Sequence, residues 1–244
     1  MAKANQNTSK TKIQKKKEPN FLIKVYLLLY NGLQTLGWTY LLFQTFSFYL
    51  FGSATNQTLY ETIKFTLIIF QNAAVLEILH AATGIVASNP IITLQQVFSR
   101  VMLVCGVLMA TPDAKACFGL HLCLFAWSVT EIIRYGYYAL NILNLVPQIL
   151  IWLRYTTFIV LYPIGVTGEL WCLYSAQNYV AQHNMWSYSL PNLLNFTFSY
   201  QYLLIGIMLL YIPLFPQLYM HMFTQRRKIL GSGSAAAVEK QKTK

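Results

Sequence analysis

Charged residues are scarce in this sequence. Only 10% of its 244 residues are Asp, Glu, Lys or Arg, whereas 56% are hydrophobic. Soluble globular domains carry roughly 25% charged residues, so this scarcity excludes an ordinary soluble domain. We therefore predict an all-α, polytopic membrane protein whose chemistry takes place inside or at the edge of the bilayer.

Paired metal-ligating residues are also missing. The four cysteines, Cys105, Cys117, Cys123 and Cys172, form no CxxC pair, and the four histidines form no HxxH or HxxxH pair. Zinc and di-iron sites need ligands at such spacings, so we expect no metal site and no cofactor. We interpret the cysteines as small buried hydrophobic side chains.

The net charge of +11 is concentrated at the two ends of the chain. Residues 1–20 hold six lysines and one glutamate, and residues 223–244 hold six Lys or Arg and one glutamate. Basic charge spread over a surface would suggest a nucleic-acid partner, but this distribution does not. Under the positive-inside rule both tails prefer the cytosol, which requires an even number of membrane spans.

Six apolar runs are separated by polar breaks, and each is near or above the roughly 20 residues that a helix needs to cross the bilayer. They cover residues 21–51, 60–87, 91–111, 116–143, 147–176 and 200–223. We predict a six-transmembrane-helix bundle over residues 21–223, between a basic cytosolic tail (1–20) and a basic, flexible cytosolic tail (224–244). The first run is too long for a signal-peptide core, so we expect it to remain as a helix.

The carboxyl-terminal tail carries signals of composition and targeting. GSGSAAAVEK is typical of flexible linkers, and Lys240 and Lys242 resemble a dilysine endoplasmic-reticulum retrieval signal. We therefore predict the endoplasmic reticulum membrane, with a merely basic tail as the alternative. The sequons at Asn56 and Asn195 fall on the predicted luminal side, and their use stays open.

Ionisable residues inside apolar runs are expensive unless they face the bundle interior or find a partner. Glu131 and Arg134 lie three residues apart on one helical face, so we predict that they neutralise each other. Glu77 has His80 at the same spacing. For Glu77, structural support and substrate contact are both open interpretations.

Two arginines have no carboxylate at helical spacing. Arg100 has Gln96 one turn before it, and Arg154 lies near the cytosolic entrance of the fifth run. Arginine near that face is what phosphate groups of a substrate would meet. Support and substrate contact remain alternatives for these residues as well.

The stretch LYPIGVTGE places Glu169 in apolar surroundings, and its nearest aligned polar neighbour is Tyr162. Seven residues make about two helical turns, so both side chains should face one cavity with roughly 10 Å of rise between their backbones. An acid and a phenol so arranged suit proton transfer. A tyrosine at a membrane interface and a glutamate that bridges helices remain the alternative.

The residues between Tyr162 and Glu169 would weaken regular helical hydrogen bonding or allow another helix to come close. Pro163 has no N–H, so the Ile159 carbonyl loses its usual helical donor. Gly165 and Gly168 allow either close helix approach or local unwinding.

Five blocks resemble the very-long-chain 3-hydroxyacyl-CoA dehydratases of the endoplasmic reticulum, a family also called protein tyrosine phosphatase-like. The blocks are AAVLEILHAATGIVAS (73–88), WSVTEIIRYGYYAL (127–140), LRYTTFIVLYPIGVTGE (153–169), PNLLNFTF (191–198) and QRRKIL (225–230). The resemblance implies six spans with both ends cytosolic, and it implies Tyr162 and Glu169 as catalytic residues. The supporting or substrate-contacting residues would be Glu77, Gln96, Arg100, Arg134, Arg154 and Gly165.

The implied reaction is removal of water from a 3-hydroxyacyl-CoA to give the trans-2-enoyl-CoA, the third step of fatty-acid elongation. Such an elimination needs a base for the α proton and an acid for the departing hydroxide. Ordinary acidities favour Glu169 as base and Tyr162 as acid, although a buried site can reverse these roles. Besides the substrate and membrane lipid, other elongation enzymes are expected partners.

Other functional classes stay open at this point. A non-catalytic, phosphatase-like membrane scaffold and a lipid transporter would also carry buried charges. A tyrosine phosphatase is disfavoured because it needs a nucleophilic cysteine followed by a phosphate-binding arginine. In HAATGIVAS the expected thiol position is Ala81.

Overall fold

A computed structural model describes the backbone of residues 20–52 and 57–242, and the side chains of these residues as far as Gly231. Three sequence predictions fall outside the described residues. They concern the amino-terminal basic tail, the sequon at Asn56 and the side chains of the dilysine motif.

The described chain is built from helices, which confirms the all-α prediction. They are α1 (Phe21–Phe51), α2 (Leu59–Ala73), α3 (Val75–Ala82), α4 (Pro90–Val101), α5 (Pro112–Ala116), α6 (Phe118–Ile142), α7 (Gln148–Arg154), α8 (Phe158–His183) and α9 (Tyr200–Lys242). A π-helical segment, Met102–Leu108, continues α4.

Four helical stretches of the described chain are long and apolar enough to cross a membrane. They are Leu59–Ala82, Pro90–Leu108, Phe158–His183 and Tyr200–Gly231. This supports a membrane protein, but it does not confirm the predicted count of six. Helix α1, with 31 residues, and α6, with 25, are long enough to span, yet polar residues lower their hydropathy.

Two predicted apolar runs are interrupted, where the sequence indicated continuous helices. The second run breaks at Ala74, just after Asn72 bonds its side chain to the Ile68 carbonyl at 2.8 Å. The fifth run breaks between α7 and α8, where the Thr157 hydroxyl donates to the Leu153 carbonyl at 2.8 Å.

The last helix extends further than the sequence indicated. Helix α9 begins at Tyr200, as predicted, but continues to Lys242 through the glycine- and serine-rich segment. Composition predicts a flexible linker there. The three successive alanines of that segment are strong helix formers, which favours the helical continuation.

Helix α6 lies at the centre of the bundle. It packs against α1 on one side and α8 on the other, while α2 packs against α1 and α9 against α8. The core around it contains the largest fully buried side chains, among them Trp38, Leu41, Ile63, Leu67, Leu120, Leu124, Trp127 and Leu173. The central helix can therefore present residues to both halves of the bundle.

Helices α6 and α8 come into close backbone contact at two glycines. A Cβ atom on Gly168 would lie 2.7 Å from the Gly119 carbonyl oxygen, and a Cβ on Gly119 would lie 2.6 Å from that of Gly168. Small residues permit such backbone contact between membrane helices. The close approach predicted for Gly168 is confirmed. Local unwinding is wrong, because α8 runs without interruption.

Gly168→Ala should force α6 and α8 apart and lower the free energy of unfolding by about 1–3 kcal/mol, the usual cost of overpacking. Equilibrium unfolding in mixed detergent micelles measures this. The matched control is Gly206→Ala in α9, whose added Cβ meets no atom within 4 Å. Equal stabilities of the two variants would contradict the packing described here.

Candidate active site

Tyr162 and Glu169 of α8 both line one cavity of about 370 Å³. Their seven-residue spacing predicted this shared face. Of the eight candidate site residues, seven line this cavity: Gln96, Arg100, Arg134, Arg154, Tyr162, Gly165 and Glu169. Glu77 is the exception: it does not line the cavity, but it bonds Arg134 and Tyr135, which do.

Both carboxylate oxygens of the buried Glu169 accept hydrogen bonds. The Trp127 indole N–H donates to Oε1 at 2.9 Å, and the Tyr211 hydroxyl donates to Oε2 at 2.6 Å. An ionised carboxylate only accepts, and an indole nitrogen only donates. The arrangement therefore suits an ionised glutamate.

Sequence reasoning missed both of these partners. Trp127 lies in α6 and Tyr211 in α9, each 42 residues from Glu169 along the chain. The available signal was weak: each is an aromatic residue with a polar atom inside an apolar run. Buried tryptophan and tyrosine usually find a partner for that atom.

The ring of Tyr162 is held by stacking. Its centroid lies 5.5 Å from that of Phe215 and 6.1 Å from that of Tyr219, with interplanar angles of 15° and 2°. Its hydroxyl makes no hydrogen bond with the described residues. The phenol is thus fixed in orientation while its O–H remains available to a ligand in the cavity.

The backbone carbonyl that Pro163 leaves without a helical donor has found another one. The Tyr219 hydroxyl donates to the Ile159 oxygen at 2.9 Å. The sequence predicted the missing donor, and α9 supplies the replacement. A buried carbonyl without a partner would destabilise the fold.

A network of ion pairs among Glu77, Arg100, Glu131 and Arg134 forms part of the cavity wall. Glu131 accepts from the Arg134 Nε at 2.7 Å and also pairs with Arg100. Arg134 makes a bidentate pair with Glu77, at 2.8 and 2.9 Å. The predicted pairing of Glu131 with Arg134 is confirmed.

The sequence neighbour of Glu77 is not its partner. Glu77 pairs with Arg134 and accepts from the Tyr135 hydroxyl, both on α6. His80 instead shares a hydrogen bond of 2.8 Å with the Tyr26 hydroxyl of α1. Helical spacing cannot show this, because the contacts form between helices.

Arg154 is held over aromatic rings. Its guanidinium lies 4.3 Å from the Tyr137 ring centroid and 4.5 Å from that of Tyr138, and Nη2 donates to the Tyr138 hydroxyl at 3.0 Å. Its Nη1 is buried and has no hydrogen-bond partner among the described residues. Arg154 as a residue lines the cavity.

The walls of the cavity differ in character. Arginine and glutamate side chains come from α4, α6, α7 and α8, whereas α9 contributes mainly apolar ones: Ile207, Leu210, Leu214, Phe215, Leu218 and Met222. Within the part of the chain that the structure describes, no cluster of three His, Cys, Asp or Glu side chains could hold a metal ion. The cavity suits a ligand with a polar group and a long apolar chain.

Residues 71–232 match the family model described as protein tyrosine phosphatase-like protein, PTPLA. The chain belongs to this family. A mouse relative, very-long-chain (3R)-3-hydroxyacyl-CoA dehydratase 2, is 46% identical over 217 residues, which cover 89% of this chain and 85% of the relative. No solved structure matches the chain significantly.

Members from distant organisms are also similar to this chain. The Caenorhabditis elegans dehydratase hpo-8 is 47% identical over 216 residues, covering 87% of this chain and 97% of the relative. The Arabidopsis thaliana dehydratase PASTICCINO 2 is 36% identical over 208 residues, covering 85% and 93%. The match to these PTPLA-family proteins therefore extends over most of both chains.

Glu131→Gln should lower the free energy of unfolding by about 3 kcal/mol, because it leaves Arg100 and Arg134 facing each other without their shared anion. Equilibrium unfolding in mixed micelles measures the loss. Glu61→Gln is the control, since Glu61 forms an exposed pair with Lys64, worth less than about 1 kcal/mol. A loss at Glu131 no larger than the loss at Glu61 would contradict this account.

Proposed function

We propose that this protein is a very-long-chain (3R)-3-hydroxyacyl-CoA dehydratase of fatty-acid elongation. The observation that carries the proposal is the shared cavity: the Tyr162 phenol and the Glu169 carboxylate line it together with arginines and a long apolar wall. The names of the PTPLA-family relatives support it. The other enzymes of the elongation cycle are then its expected neighbours in the membrane.

The elimination requires two proton transfers. Glu169 takes the proton from the α carbon, and the electrons of that C–H bond form the double bond to the β carbon. The bond between the β carbon and its oxygen breaks, and the Tyr162 hydroxyl gives its proton to the leaving oxygen, which departs as water. Return of the proton from Glu169 to the Tyr162 phenolate restores both groups.

The hydrogen bonds favour this division of roles. Glu169 accepts from two donors, Trp127 and Tyr211, as an ionised base would. Tyr162 has an orientated ring and a hydroxyl with no partner among the described residues, as an acid waiting for substrate would. The reverse assignment would need a proton on the Glu169 carboxyl, which would then donate to the Tyr211 hydroxyl oxygen instead of accepting from it.

The charged wall and the apolar wall of the cavity would each bind a different part of the substrate. The apolar side chains of α9 would receive the acyl chain. Arg154 and the other cavity arginines, Arg100 and Arg134, would face the polar thioester end. Arginine suits phosphate oxygens as well, because its planar fork can bind two of them at once.

We also propose six spans through the endoplasmic reticulum membrane, with both termini on its cytosolic side. Helices α1 and α6 join the four apolar stretches because both are long enough to cross the bilayer, and because two glutamines of α1 donate hydrogen bonds to the backbone of α2. In α1, Gln34 donates to the Phe70 carbonyl at 3.2 Å and Gln44 to the Thr62 carbonyl at 3.2 Å. Hydrogen-bonded side chains of this kind are compatible with a membrane helix.

Tyr162→Phe and Glu169→Gln should each lower turnover at least about a hundredfold, because each removes one of the two proton transfers. The assay measures conversion of a long-chain 3-hydroxyacyl-CoA to its trans-2-enoyl product by purified protein in detergent. Melting and size-exclusion profiles should stay close to those of the wild type, since both substitutions preserve shape.

Tyr174→Phe is the matched control, because Tyr174 lies on the same helix and is exposed. It should keep wild-type turnover. Wild-type protein without activity, where a known dehydratase works in parallel, would contradict the proposed function and favour a scaffold or a lipid transporter. A phosphatase is not favoured, since Ala81 stands where its thiol would be needed.

A further inference from the structure

One face of α9 contacts both candidate catalytic residues of α8. Tyr211, Phe215 and Tyr219 follow each other at four-residue intervals, so they lie on one side of the helix. Tyr211 bonds the Glu169 carboxylate, and the other two rings stack on Tyr162. We call these three residues the α9 aromatic stripe.

The stripe matches the spacing of the candidate pair. The two helices pack side by side, and the contacts show that they run antiparallel. Tyr219 reaches the Ile159 carbonyl near the start of α8, while Tyr211 reaches Glu169 further along. A single helix face thus orientates the phenol at one end and the carboxylate at the other.

We propose that Tyr211 is a positioning residue for the dehydration, which holds the Glu169 carboxylate in line with the α proton of the substrate. The inference rests on the proposed function. Tyr211 lines the cavity, and its hydroxyl donates to Oε2 at 2.6 Å. A hydrogen bond to a charged acceptor is shorter and stronger than one between neutral groups.

Tyr211 matters for the orientation of the Glu169 carboxylate because it bonds the oxygen that Trp127 does not. Trp127 from α6 holds only Oε1, at 2.9 Å, and one hydrogen bond leaves the carboxylate free to rotate about it. Two bonds from opposite helices remove that freedom. The base is then held within the small tolerance that proton abstraction from carbon demands.

Loss of the Tyr211 hydroxyl should therefore slow proton abstraction more than substrate binding. Tyr211→Phe removes one oxygen atom and keeps the ring. We expect kcat to fall roughly ten- to a hundredfold, the range for one hydrogen bond to a charged group, with KM little changed. Abstraction of the α proton should also become more rate-limiting.

The test is the primary deuterium isotope effect on kcat, measured with a long-chain 3-hydroxyacyl-CoA carrying two deuterium atoms on the α carbon. We expect a larger isotope effect in Tyr211→Phe than in the wild type. The effect is a ratio of rates within one preparation, so partial misfolding does not change it. Tyr202→Phe, an exposed tyrosine of the same helix, is the control and should show wild-type values.

Trp127→Phe is the second variant, because it removes the donor to the other oxygen of Glu169. It should also raise the isotope effect. An active wild type together with unchanged kcat and isotope effect in Tyr211→Phe would overturn the role of Tyr211 while leaving the proposed function intact. An inactive wild type would overturn both.

Discussion

The Glu131 carboxylate lies inside the bundle between the guanidinium groups of Arg100 and Arg134, and Arg134 continues the pairing to Glu77. Each of these charges would be expensive in hydrocarbon without its partner. Helices α3, α4 and α6 must therefore keep the register that brings the four groups together. Because Arg100 and Arg134 also form the cavity wall, the shape of the candidate active site depends on the same ionic network.

Helices α8 and α9 form a second unit, in which tyrosines of α9 donate hydrogen bonds to polar groups of α8. Pro163 deprives α8 of one internal hydrogen bond, and Tyr219 of α9 restores it at the Ile159 carbonyl. Tyr211 of α9 also donates a hydrogen bond to one carboxylate oxygen of Glu169. Pro163 and Glu169 would weaken α8 as an isolated helix, yet the groups they leave unpaired are the ones that bond α9. The same contacts orientate the Glu169 carboxylate and the Tyr162 phenol in the cavity.

Local periodicity was enough to predict part of this arrangement. The bounds of α1, the shared azimuth of Tyr162 and Glu169, and the pairing of Glu131 with Arg134 all depend on positions within one helix. Hydropathy gave a less certain count of spans, since four helical stretches of the described chain are long and apolar enough to cross a membrane, whereas the sequence predicted six.

The sequence by itself determined the all-helical class, the family and the face of α8 that carries the acid and the phenol. Only the tertiary structure decided that Glu77 pairs with Arg134, and that Trp127 and Tyr211 share the Glu169 carboxylate. The physical reason is the range of the interactions. Helical spacing is set by neighbouring residues, whereas these hydrogen bonds join helices whose adjacency depends on the packing of the whole bundle.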